Sequence, residues 1–296
     1  MAVVSKTVSR LRKRLSWLRL MLQFASTHGN SWRECVRLFY YSGVKESLAY
    51  RGWVTNPEER ILQFCVRAGQ NRVFQVHARD NGMDVGTFAE FFSSRYTILP
   101  PELAPIEPKI IYDIGANIGI ASLYFAVRYP RARFYGFEPV PLNLKVCALN
   151  YQNLPGARVF PWAVGSCTGK ATFELNPRDL RGGRLKGSLP GKQDGLKKQL
   201  EVDVFSIIDL IKEQKLEPPE FVKIDVEGAE LEVLKGIGNE CTSIKRMLIE
   251  THGPELEAAC FDWVKNHGFE VVHSHSAGPG YTAIWCDRVG PSLGLG

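Results

Sequence analysis

The sequence predicts an α/β domain built on a seven-stranded, mostly parallel sheet whose last strand is antiparallel, preceded by a helical N-terminal region. Residues 107–128 read as strand, acidic residue, glycine turn and helix. Ile110, Ile111 and Tyr112 run into Asp113, then Gly115, Asn117 and Gly119, then an apolar helix face of Ile120, Leu123, Tyr124 and Val127. Strand and helix patterns alternate from there onward, which implies parallel strands with helices on both faces. The last two strand patterns are separated only by Ser274–Gly280, too short for a parallel crossover, so they should pair antiparallel.

Taken in order, residues 8–25 place Val8, Leu11, Leu15, Leu18 and Leu22 at spacings of three and four, with Arg and Lys between them. That is an amphipathic basic helix, which could pack on the main domain, lie on a membrane surface, or serve as an organelle-targeting presequence. Residues 31–69 read as helical, through Trp32, Val36, Phe39 and Tyr40 and then Ile61, Phe64 and Cys65, with Gly69 as the stop. Val73–His77 reads as a strand and Val85–Tyr96 as a short helix. Pro100, Pro101, Pro105 and Pro108 make 98–108 a linker, because proline lacks the amide donor.

The core strands are expected at 110–113, 133–137, 158–164, 221–225, 244–250, 269–273 and 281–286. Helices fill 117–128, 142–152, 206–214, 229–235 and 255–267, punctuated by Pro130, Pro139, Pro155, Gly236 and Gly268. Between short strands at Ala171–Leu175 and Leu200–Val204 lies a loop, 176–199, rich in Gly, Arg and Lys. It reads either as a solvated insertion or as a lid over a polar or anionic acceptor. The expected organisation is a basic amphipathic helical region at 1–69, a strand/helix extension and linker at 70–108, the α/β domain at 109–287 and a flexible tail at 288–296.

Composition narrows the class. Apolar and charged fractions of 45% and 23% are ordinary for a globular chain, and no run approaches the length of a membrane helix. The formal charge of +6 is local: residues 1–33 hold Lys6, Arg10, Arg12, Lys13, Arg14, Arg19 and Arg33 and no acidic residue. Removing those seven leaves 30 basic against 31 acidic side chains. The body therefore lacks the surplus a nucleic-acid surface needs, and nucleic acid is an unfavoured partner. The 7 cysteines are scattered with no CxxC pair, which argues against a disulfide framework or zinc knuckle and for a reducing, cytoplasmic setting.

The glycine turn selects a ligand. A dinucleotide fingerprint needs G-x-G-x-x-G, whose second glycine lets backbone approach the pyrophosphate. Here that position is Asn117, which disfavours an NAD-dependent oxidoreductase. Asp113 at the strand end would repel an anion and welcome an ammonium group. Glu138, followed by Pro139 at the end of the next strand, can accept hydrogen bonds from ribose hydroxyls. Lys223, Asp225 and Glu227 sit at the end of the strand at 221–225, and Glu250 and His252 at the end of the following one, all on the edge where open α/β sheets bind ligands.

Asp113-Ile-Gly-Ala-Asn-Ile-Gly119, Phe137-Glu-Pro139, Ala163-Val-Gly165 and Lys223-Ile-Asp-Val-Glu-Gly-Ala-Glu-Leu231 together resemble the motif series of the FkbM family of class I S-adenosylmethionine-dependent methyltransferases. The resemblance covers about 107–286 and implies a Rossmann-like seven-stranded fold and methyl transfer, usually to a hydroxyl oxygen of a small molecule or glycan. It further implies that Asp113 and the backbone of Gly115, Ala116, Asn117 and Gly119 hold the methionine part of S-adenosyl-L-methionine. Glu138 would take the ribose, Ala163 and Val164 would line the adenine, and Asp225 would face the sulfonium.

For a hydroxyl acceptor, His252 is the first choice of general base because its intrinsic pKa lies near neutrality. Asp225 and Glu227 are the second choice, and either could instead hold a divalent metal, although no metal motif requires one. A core histidine without a chemical role is the plain alternative. A catalytically silent S-adenosylmethionine-binding protein is the alternative for the chain as a whole.

Overall fold

The computed structural model describes residues 2–45, 60–69, 72–81, 83–93, 103, 105–176, 179–185, 198–238, 241–278 and 281–289, and it describes no side chains for 2–14, 176–185, 277 and 278. The chain forms two compact units, Met1–Ile98 and Leu99–Gly296.

The first unit contains α1 (Ala2–His28), α2 (Trp32–Phe39), a π-helical turn (Tyr40–Lys45), the strands β1 (Ile61–Ala68) and β2 (Arg72–Arg79), and α3 (Met83–Phe92). Ser31 caps α2 by accepting from the Glu34 amide. Two sequence expectations change here. Residues 61–68 are a strand, not the end of a helix, and pair antiparallel with β2 from Ile61↔Arg79 to Ala68↔Arg72. Leu62, Phe64, Val66 and Ala68 are all buried, a period of two that outweighs the weaker three-and-four spacing of Ile61, Phe64 and Cys65. Gly69 therefore serves a hairpin turn at φ +68°, not a helix end.

The buried face of α1 is also displaced from the expected stripe. Met21, Phe24 and Ala25 are buried, whereas Leu15 and Leu22 are exposed. Phe24 packs edge-on to Phe88 of α3. At the start of α3, Asp84 takes a two-pronged ion pair from the Arg79 guanidinium, with both N···O distances at 2.9 Å.

The second unit begins with β3 (Ile110–Ile114), α4 (Ile120–Arg128), β4 (Arg133–Phe137), α5 (Pro141–Tyr151), β5 (Arg158–Phe160), β6 (Trp162–Val164), β7 (Gly169–Asn176), β8 (Asp179–Leu185) and β9 (Lys198–Phe205). It continues with α6 (Ile207–Lys212), β10 (Phe221–Ile224), α7 (Glu230–Lys235), β11 (Arg246–His252), α8 (Pro254–Asn266), β12 (Phe269–Gly278) and β13 (Tyr281–Arg288). Seven strands form the main sheet in the order β12-β13-β11-β10-β3-β4-β5. β13 runs antiparallel to both neighbours, and the β11–β10–β3–β4–β5 pairs are parallel, so the Rossmann-like sheet has a reversed last strand as the short 274–280 connection requires. Ile114, Phe137, Ile224, Met247 and Ile284 are among the buried side chains of its apolar core.

The strand expected at 158–164 is two strands. β5 stays in the main sheet, while β6 leaves it to join a four-stranded sheet ordered β6-β9-β7-β8. Pro161, which cannot donate to a ladder, stands at the break. The expected loop 176–199 is partly a strand, because β8 pairs with β7; residues 186–197 lie outside the described residues, as do most of the expected linker and the tail from 290. Among the described residues, no helix is long and apolar enough to cross a membrane.

Candidate active site

The order of the main sheet fixes where a ligand goes. From β3 the chain moves outward through β4 and β5, then returns to the other side of β3 with β10 and β11. The crevice at that reversal, above the C-terminal strand ends, is the ligand site of open α/β sheets. Asp113 lies opposite Lys223 on one side and Gly136 on the other, so the motif residues end in register.

The glycine turn after β3 is built by backbone necessity. Gly115 and Ala116 donate to the Phe137 carbonyl at 3.1 and 3.0 Å. Gly115 is at φ +75°, and a Cβ there would lie 1.8 Å from the Asp225 carbonyl oxygen, so the end of β10 presses directly on the turn. Asn117 is left-handed at φ 49°, which Asn tolerates better than most residues. Its amide donates to Glu138 Oε2 at 2.8 Å, and its own Oδ1 is buried without a hydrogen-bond partner. Gly119 starts α4, where a Cβ would crowd Tyr151 and Cys147.

Asp113 is turned inward, which corrects the expectation that it is aimed at a ligand ammonium. It is 1% exposed, and its Oδ2 accepts from Ser122 Oγ at 2.7 Å. Tyr151 OH lies 2.8 Å from that same Oγ, in space left by the absent side chain of Gly136. Its other oxygen lies 3.2 Å from Lys223 Nζ. Buried in β10, Lys223 donates to the Gly115 carbonyl at 2.9 Å and lies 3.3 Å from Asp225. Burial works against the ammonium, but Asp113, Asp225 and Glu250 outweigh it and hold the Lys223 pKa above its ordinary range. The sequence placed Lys223 on the ligand edge beside Asp225 and Glu227, but its pairing with Asp113 and the Gly115 carbonyl depends on how β3 and β10 meet.

Glu138 is buried at the end of β4. Besides the Asn117 amide it accepts from the Val140 amide at 2.9 Å and Asn143 Nδ2 at 3.3 Å. Burial pushes its pKa up to about 7, against these hydrogen bonds. A carboxylate offers about four lone-pair positions and three are used, which leaves it able to accept one further donor. Pro139 is half-buried in the loop that follows. Ala163 and Val164 lie on β6 in the second sheet, where Ala163 packs in a cluster with Val140, Phe173 and Val204.

The other half of the edge gathers four acidic groups and a histidine. His252 Nδ1 lies 2.9 Å from Glu230 Oε1, while Nε2 lies 3.5 Å from Glu227 and 3.9 Å from Asp225. Glu230, fully buried at the start of α7, also accepts from the Val226 and Gly228 amides. Burial opposes a charge on His252, but the Glu230 hydrogen bond and the nearby Glu227 and Asp225 prevail and lift its pKa to about 10. The surrounding carboxylates favour the protonated ring over the free base, which weighs against His252 as the general base expected from sequence. Glu250 is pushed up to about 8 by burial and then by Asp225. Glu230 was not anticipated as part of the site, although it lies within the Lys223–Leu231 motif, because its spacing alone reads as an ordinary helix-start carboxylate.

Residues 113–271, more than half of the chain, match the methyltransferase FkbM domain. The chain belongs to the FkbM methyltransferase family. It is similar to the 31-O-demethyl-FK506 methyltransferase FkbM of Streptomyces tacrolimicus, 26% identical over 62% of this chain and 81% of that protein. It is also similar to the hexuronic acid methyltransferase AglP of Haloferax volcanii, 30% identical over 49% of this chain and 57% of that one. A third relative is the AMB antimetabolite synthetase AmbE of Pseudomonas aeruginosa, 25% identical over 68% of this chain but only 12% of the synthetase. The chain thus spans a small part of the synthetase and a little over half of AglP. The matched region includes the strand edge described above.

Proposed function

We propose that the chain transfers a methyl group from S-adenosyl-L-methionine to a hydroxyl oxygen of a small molecule or glycan. The observation that carries this is the Asn117–Glu138 contact, which brings the glycine turn and the acidic residue of the adjacent strand into one cradle. The residues fit the nucleoside. Glu138 has acceptor capacity left for a ribose hydroxyl, and the buried Asn117 Oδ1 lacks the donor that an ammonium group would bring. Gly115 and Ala116 would line the methionine part through backbone, with Asp113 acting behind them through Lys223. Ala163 and Val164 would offer the apolar wall for adenine.

When bound, S-adenosyl-L-methionine supplies an electrophilic methyl on a sulfonium; in transfer the S–CH3 bond breaks and an O–CH3 bond forms. The chain supplies alignment and a place for the acceptor's proton. Asp225 and Glu227 are the carboxylates placed to take that proton. His252, anchored by Glu230, lies beside both carboxylates at the strand ends. The FkbM relative's name specifies an oxygen acceptor and the AglP relative's name a hexuronic acid, which supports an acceptor of this class.

The test is methyl-labelled S-adenosyl-L-methionine with a panel of hydroxylated small molecules, hexuronic acids and oligosaccharides. Label on a hydroxyl oxygen is the predicted result. Label on nitrogen or nucleic acid would overturn the acceptor assignment, and failure to bind the cofactor would overturn the whole reading.

For the first unit we infer peripheral contact with an anionic membrane surface. Trp32, Val36, Tyr40 and Val44 recur every four residues and all are exposed, Trp32 by 73%. The basic, acid-free composition of residues 1–33 complements an anionic lipid surface. Full-length chain should sediment with phosphatidylserine-containing vesicles and less with pure phosphatidylcholine, and Trp32→Ser should weaken it. No vesicle binding, or binding indifferent to lipid charge, would overturn this reading.

A further inference from the structure

The geometry points to a divalent cation site formed by Asp225, Glu227 and His252 and open to an acceptor with two adjacent oxygen ligands. One ligand atom from each of the three residues lies within 4.8 Å of the others. Ligands held at about 2.1 Å from a cation sit roughly 3 Å apart when adjacent and roughly 4 Å when opposite. The 3.5 and 3.9 Å separations from His252 Nε2 are therefore within a small side-chain rotation of a coordination sphere.

Two features distinguish this set from a chance group of acids. The first is Glu230. Fully buried and fixed by two backbone amides, it holds His252 Nδ1 at 2.9 Å and so directs Nε2 at the two carboxylates. A ligating histidine whose other nitrogen is held by a carboxylate is the recurrent outer arrangement of metal centres; a cation at Nε2 would displace the proton there to solvent and leave the Nδ1 proton on Glu230. The second is exposure. His252 is 12% exposed, Asp225 26% and Glu227 35%, so the three donors converge from the protein side and leave the opposite side open.

Imidazole with two carboxylates suits a first-row cation such as Mn2+ better than Mg2+, which prefers oxygen donors and retained water. Three protein ligands leave about three positions of an octahedral sphere, enough for both oxygens of a vicinal diol, a hydroxy acid or a sugar hydroxyl beside a carboxylate. A hydroxyl on the cation would lose its proton more readily and would be oriented for attack. This rests on the methyl-transfer reading for its purpose, but the site itself stands on the three side chains and Glu230.

The experiment is titration of chelator-stripped full-length chain with Mn2+, following the free-ion paramagnetic resonance signal. S-adenosylhomocysteine binding is measured separately by calorimetry in chelator. One tight Mn2+ per chain is expected, weakened at least tenfold in Glu227→Gln and in His252→Asn and unchanged in Glu232→Gln, an exposed acid paired with Lys235. If either ligand variant unfolds, paramagnetic broadening of the His252 ring resonances in the wild-type chain makes the same test. No stoichiometric Mn2+, Mn2+ binding indifferent to both ligand variants, or an unbroadened His252 would overturn the site. S-adenosylhomocysteine binding in chelator with no Mn2+ site would remove the cation and leave methyl transfer standing; Mn2+ binding without S-adenosylhomocysteine binding would do the reverse.

Discussion

Lys223 Nζ donates a 2.9 Å hydrogen bond to the Gly115 carbonyl, tying the central strand of the sheet to the glycine turn that follows its neighbour β3. The same ammonium lies 3.2 Å from the buried Asp113. Lys223→Met would leave Asp113 as a buried, uncompensated charge, and removing one partner of such a pair costs about 3–5 kcal/mol. Denaturant unfolding should show a loss of that order. Asp113→Asn combined with Lys223→Met should recover part of it, and strict additivity in the double-mutant cycle would show that the two groups do not interact.

Gly115 and Gly156 separate two effects that glycine substitutions usually mix. Both have positive φ, +75° and +70°, so alanine at either pays roughly 1–2 kcal/mol of left-handed strain. At Gly156 the nearest atom to a new Cβ is a flexible Arg133 carbon at 3.2 Å, whereas at Gly115 it is a backbone oxygen at 1.8 Å. Gly156→Ala should lose only the strain. Gly115→Ala should lose more and reduce S-adenosylhomocysteine affinity by at least tenfold, as calorimetry would report; equal effects at the two positions would contradict this account of the turn.

Much of this was legible in the chain. The spacing of Ile110–Gly119 and the short 274–280 connection were enough for the sheet and its reversed strand, because both follow from local geometry. The orientation of Asp113 was not, because it depends on Ser122, Tyr151 and Lys223, which arrive from three other elements. The setting of His252 was hidden for a similar reason: its intrinsic pKa is a property of the residue, whereas its value in the fold belongs to Glu230, Glu227 and Asp225. Residues 61–68 misled because one short apolar run fits both periods, and only pairing with β2 decides between them.

On the proposed ribose contact, Glu138 should make cofactor binding pH-dependent. Its pKa in the folded chain is raised to about 7, above the ordinary carboxylate value, so the proton is favoured by folding. The stability this contributes is fully present below about pH 4.5 and is lost as pH rises through about 7. A ribose hydroxyl needs the ionised acceptor, so binding must expel the proton below that point. Affinity for S-adenosylhomocysteine should rise by up to tenfold per pH unit below about pH 7 and level off above it. Calorimetry at several pH values checks this, and a flat profile would remove Glu138 from the ribose contact.

Glu230 is a positioning residue. Its Oε1 takes His252 Nδ1 and two backbone amides, so Glu230→Gln keeps the shape and weakens all three contacts. A stability loss of about 1–3 kcal/mol is expected. Turnover should fall about tenfold or more through misplaced Asp225 and Glu227, while S-adenosylhomocysteine affinity stays within about twofold. Loss of stability with unchanged turnover would make Glu230 purely structural.

The measurement closest to the central claim is calorimetric titration of the full chain and its Glu138→Ala variant with S-adenosylhomocysteine, the product of methyl donation. One site per chain is predicted, with affinity reduced at least tenfold in Glu138→Ala. No binding to the wild-type chain, or equal binding to both, would contradict the account.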